Sequence, residues 1–110
     1  MRKIEAVIPP ESLGNVSEAL LQAKIGAFRA IDVTYFEPGT HKGIYRGAEY
    51  ALGHERIKLE IVVPDQEVQP AVEAIHLGLD GAQRDAEVLV VPVFDEIRLS
   101  ARSGGRRAAR

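Results

Sequence analysis

The 110-residue chain has no cysteine, which excludes disulfides, thiolate metal sites and a cysteine nucleophile. It has almost no excess of one charge. Fourteen lysines and arginines against sixteen aspartates and glutamates give a formal −2, so the surface as a whole has no general attraction for nucleic acid or anionic membranes. No apolar run approaches the ~20 residues of a membrane span, and the opening MRKIEAVIPP lacks the continuous apolar stretch of a signal peptide. The expected location is the cytoplasm, with no nucleic-acid partner. His41, His54 and His76 follow no standard metal spacing, so no metal site is expected. Ser12, Ser17, Ser100 and Ser103 have no nucleophile context, Asp95 and Glu96 read as a solvated turn, and no enzyme is expected.

What is present fits one soluble domain with one core: 45% of residues are hydrophobic and 27% charged. RKIEAVI (2–8) alternates, with Ile4, Ala6 and Ile8 on one side, and stops at Pro9-Pro10. That is a half-buried strand. Leu13, Val16, Leu20 and Ala23 then recur at helical spacing, with Glu11 or Ser12 to begin the helix and Gly26 just past its end. FRAIDVTYF (28–36) reads as a second strand, and RIKLEIVV (56–63) as a third with Ile57, Leu59, Ile61 and Val63 facing inward. Pro64 ends that strand, Asp65 is a candidate N-cap, and Val68, Ala71 or Val72, Ile75 and Leu79 form a second helical stripe. Pro70 is tolerable because it falls in the opening turns. EVLVVPV (87–93) is the fourth strand.

The order β-α-β, long loop, β-α-β predicts a ferredoxin-like α+β fold, a four-stranded antiparallel sheet with both helices on one face. Val7, Val62, Val88 and Val90 leave more apolar surface than two helices cover, and oligomerisation is the expected remedy. The loop, 37–54, is far longer than the two to five residues that close a hairpin. Its glycine-rich GIYRGAEY resembles neither a helix nor a strand, and 37–54 is expected to be poorly ordered in the free protein. Tyr45 and Tyr50 offer stiff amphipathic surface, Arg46 a bidentate anion fork, and Glu49 a carboxylate, which together suit docking on a partner. SGGRRAAR has no apolar pattern, and 101–110 is expected to be an arginine-rich tail without fixed structure.

Three blocks in order, RKIEAVI, YRGAEY and KLEIVVPD, resemble the PII signal-transduction family, in register from Met1 to about Leu99. The resemblance implies a homotrimer of ferredoxin-like subunits spanning 1–100. It also implies ATP or ADP in the intersubunit clefts, 2-oxoglutarate joining through Mg-ATP, and a T-loop (37–54) that docks on a membrane transporter or metabolic enzyme. In many members the tyrosine matching Tyr50 is uridylylated. Glu60 and Val62 match positions lining the adenine pocket, Arg56 replaces the usual lysine, and Arg98 matches the first of two C-terminal arginines. Arg29 and Arg84 are additional cations near the expected cleft.

The departures concern phosphate binding. The family's G-x-G-R-Q-K-G-H is YFEPGTHKG here, so Glu37 and Pro38 stand where close backbone approach is needed and the glutamine is gone. GLDGAQRDAEV replaces T-G-x-x-G-D-G-K and puts Glu87 near the place of the phosphate-binding lysine, where an acid repels a polyphosphate. Ser100 stands at the second arginine. The expected effector is thus ADP or AMP if a nucleotide binds, with ATP and 2-oxoglutarate disfavoured. Two other readings are a trimeric binding module without a nucleotide effector and a metal-responsive relative linked to metal efflux or tolerance.

Overall fold

The computed structural model describes residues 1–36, 42–45, 48–51, 53–79 and 86–100, with 42–45 and 48–51 described by backbone alone. Strand β1 (Arg2–Ile8) leads into helix α1 (Leu13–Gln22) and strand β2 (Arg29–Tyr35). Strand β5 (His54–Val63) leads into helix α2 (Val68–Leu79) and strand β6 (Val88–Pro92). The four strands form one antiparallel sheet in the order β2-β5-β1-β6. Each β-α-β unit thus contributes one inner and one edge strand, the ferredoxin-like arrangement.

Strand alternation fixes which residues go inside. Ile4, Ala6 and Ile8 of β1 and Ile57, Leu59, Ile61 and Val63 of β5 are buried, alternating with half-buried neighbours. Val16 and Leu20 of α1 and Ala71, Ala74, Ile75 and Leu79 of α2 close over them in a single core cluster. Each fully buried Ile or Leu contributes roughly 1.5–3 kcal/mol of transfer free energy. Val88 and Val90 pair with Ala6 and Ile4 and so share the helix face, whereas Leu89 and Val91 pair with Glu5 and Lys3 on the open face.

Between β2 and β5 the backbone forms a second, two-stranded sheet, β3 (Lys42–Tyr45) paired antiparallel with β4 (Ala48–Ala51). This corrects the expectation that GIYRGAEY is neither helix nor strand. Ile44, Tyr45 and Tyr50 are strong strand formers, and the pairing Gly43↔Tyr50, Ile44↔Glu49, Tyr45↔Ala48 accommodates Gly43. Order in residues 37–41, 46–47 and 52 lies outside the described residues, as does the expected tail at 101–110.

The helix ends also differ from expectation. Asp65 does not cap α2: it sits in a 3-10 turn, Asp65–Glu67, and its carboxylate accepts from the Met1 ammonium at 2.8 Å. That bond holds the Asp65 carboxyl below the usual carboxylate range. At the end of α1 the left-handed residue is Lys24 (φ 62°), not a glycine. The Ile25 amide donates to Leu20 O and the Lys24 amide to Leu21 O, both at 3.0 Å, which is a Schellman closure.

Candidate functional site

The open face of the sheet carries a charged row. Glu60 of β5 stands opposite Glu5 of β1 on one side and opposite Arg29 of β2 on the other, and Leu89 of β6 completes the row. Two carboxylates directly opposite each other repel. Lys3 Nζ offsets this, lying 2.9 Å from Glu5 Oε2 and 3.8 Å from Glu60 Oε2. Lys58 Nζ is 3.2 Å from Glu60 Oε2, and Arg29 Nη1 is 3.8 Å from Glu60 Oε1. The hydrogen bond from Lys3 holds the Glu5 carboxyl below the usual carboxylate range, and the same bond raises the Lys3 ammonium.

Glu60 also borders a cavity of about 410 Å³. Ala27, Phe28 and Val62 give it apolar walls, and Arg29 stands at its rim. The segment after β6 supplies Glu96, Ile97 and Arg98, with Arg98 Nη2 3.7 Å from Glu96 Oε2. The lining combines apolar walls with two carboxylates and two arginines, each arginine paired with one carboxylate, so a small organic anion with a flat or apolar body would bind by drawing a guanidinium from its carboxylate.

Four of the residues singled out in the sequence, Arg29, Glu60, Val62 and Arg98, therefore meet at one cavity. Arg56 lies apart. It lines a different cavity of about 310 Å³ with Asp32 and Thr34, farther along the same two strands, and its guanidinium donates to the Glu55 carbonyl at 2.8 Å. Tyr45 ends β3, and Glu49 and Tyr50 lie in β4. Arg46 and Arg84 lie outside the described residues. Sequence reasoning missed Phe28 and Glu96 in the cavity wall, and Lys3 and Lys58 as the cations that hold Glu60. The strand alternation of RKIEAVI and RIKLEIVV already put Lys3 and Lys58 on the Glu60 face, but only the pairing register brings them together.

The family model for nitrogen regulatory protein P-II matches residues 1–103, nearly the whole chain. The chain belongs to the P-II family. It is 37% identical to the nitrogen regulatory protein P-II of Rhodobacter capsulatus, over 98% of this chain and 99% of that one. It is 38% identical to nitrogen regulatory protein P-II 1 of Escherichia coli K12 and to the P-II protein of Haemophilus influenzae, over 90% of this chain and 91% of each relative. Family membership makes this P-II protein a signal-transduction regulator and not an enzyme. P-II proteins are trimers that bind small effectors and act on partner proteins. Among the described residues, no helix is long and apolar enough to cross a membrane.

Proposed function

We propose that this P-II protein is a homotrimeric cytoplasmic regulator whose effector occupies the cavity of Arg29, Glu60, Val62 and Arg98. The observation that carries this reading is the convergence of those four residues, from β2, β5 and the segment after β6, on one cavity. The effector is ADP or AMP in preference to ATP. The apolar walls accept a base, whereas Glu37, Pro38 and Glu87 stand where the family's phosphate-binding groups would be. Self-association is supported by the open sheet face, where Val7, Ile31, Val62, Leu89 and Val91 surround the charged row.

The readout is the segment 37–54, which docks on a membrane transporter or metabolic enzyme through Tyr45, Arg46, Glu49 and Tyr50, with Tyr50 as the candidate modification site. The cavity borders β2 and β5, the two strands that flank this segment. An effector touching both strands biases the loop between conformations to the extent that it binds one better than the other. Calorimetric titration of the full chain with AMP, ADP and ATP, each with and without Mg²⁺ and 2-oxoglutarate, tests the reading. ADP or AMP binding more tightly than ATP, with no strengthening by 2-oxoglutarate, supports it; no nucleotide binding at all rejects it.

A further inference from the structure

Glu60 is the most shielded of the charged groups at the cavity, its side chain 14% exposed, and three cations surround it. They are not equivalent. Lys58 approaches to 3.2 Å and, like Lys3, is about one-third exposed. Arg29 is 71% exposed in the single subunit and, like Lys3, stays at 3.8 Å, beyond hydrogen-bond distance, which leaves Lys58 as the closest cation. Removing the Arg29 guanidinium from Glu60 would therefore leave that carboxylate with Lys58 and Lys3 still beside it. The cost of leaving a shielded charge without a partner, which makes most such pairs hard to open, does not arise here.

From this we infer that Arg29 is the anion-selecting residue of the cavity, and that its contact with Glu60 is an exchangeable ion pair that a ligand's anionic group replaces. Glu60 is the counter-ion that Arg29 exchanges for the ligand's anionic group, not an acceptor for the ligand. Lys58 and Lys3 are positioning residues that hold Glu60 when Arg29 turns to the ligand. Arg98 on the cavity wall is 83% exposed and, among the described residues, pairs with Glu96 at 3.7 Å. The ligand class this selects is a small organic anion whose apolar part rests on Phe28 and Val62 while its charge reaches Arg29. The inference rests on the cavity being the effector site, and it adds which residue discriminates and how.

The test uses AMP and adenosine, which share a body and differ by a phosphate, titrated calorimetrically into the full chain. The expected result is AMP bound about tenfold or more tightly than adenosine, the scale of one charge-assisted contact. Arg29→Leu should bring that ratio close to one, and Arg29→Lys should keep part of it. Glu60→Gln keeps the side chain's shape, removes both the repulsion with Glu5 and the pairing with Lys58 and Arg29, and frees Arg29, so its urea midpoint is measured beside that of the wild type. AMP affinity should rise several-fold, and the rise should vanish when Arg29→Leu is also present. The cavity would remain the effector site, and the inference would be overturned, by equal affinities in the wild type or by a ratio that survives Arg29→Leu. Glu60→Gln weakening both ligands alike would overturn it too. If the wild type binds neither ligand, the effector-site reading falls and the inference falls with it.

Discussion

Glu5 and Glu60 face each other across β1 and β5, and one side chain, Lys3, reaches both. This arrangement ties the stability of the sheet to the composition of the cavity, because Glu60, one of the two carboxylates that line the cavity, belongs to the same charge row. It also carries a signature in pH.

The Glu5 carboxyl is lowered by its hydrogen bond from Lys3, so its contribution is present above the unfolded-state value, about 4.3, and is lost as pH falls through the lower folded value. Lys3 is raised, so its contribution is present below about 10.4 and is lost as pH rises through the higher folded value. Urea unfolding midpoints of the wild type and Lys3→Met should therefore differ most between those limits and converge at both ends. A difference independent of pH would show that Lys3 acts through its aliphatic stem alone.

Gly78 of α2 meets Val16 of α1 so closely that a β carbon at position 78 would lie 2.5 Å from the Val16 α carbon. The obstacle is backbone, which cannot rotate away. Gly78→Ala should therefore destabilise by about 1–3 kcal/mol despite the better helix propensity of alanine. Denaturant unfolding measures it, and a neutral or stabilising result would mean the two helices separate freely.

Lys24 holds a left-handed backbone at the end of α1, which costs a side-chain-bearing residue about 1 kcal/mol. Lys24→Gly should raise stability by up to about 1 kcal/mol, partly offset by the greater freedom of glycine in the unfolded chain. Thermal unfolding checks the sign.

Assembly makes a further prediction. Leu89 is 49% exposed on the open face and pairs with Glu5. Light scattering should give about three times the subunit mass, as expected for a closed cyclic assembly. Leu89→Arg should lower it, and a wild-type monomer at micromolar concentration would contradict the proposed architecture.

The four main strands and both helices were legible because their burial is local: alternation in RKIEAVI and RIKLEIVV, and the helical spacing of Val16 with Leu20 and Ala71 with Ile75, report one buried face each. The pair β3 and β4 was not, since each strand is only four residues long and Gly43 weakens the strand signal of its neighbours. Lys24 was illegible for a related reason: Gly26 is the residue that sequence rules favour for the turn, yet the Schellman closure falls two residues earlier, where Ile25 can join the core. At the site, Glu60, Val62 and Arg98 were reached through family motifs. Phe28, Glu96 and the cations around Glu60 depend on strand register and on the path after β6, which no local pattern encodes.

In the proposed complex the effector rests against Phe28, Arg29, Glu60, Val62 and Arg98. Hydrogen–deuterium exchange of the full chain with and without saturating AMP tests it most directly. Slower exchange at 27–29, 60–62 and 96–98 is the predicted result. Protection confined to 32–34 and 55–57, around Arg56, or no protection at all while AMP is bound, would contradict it.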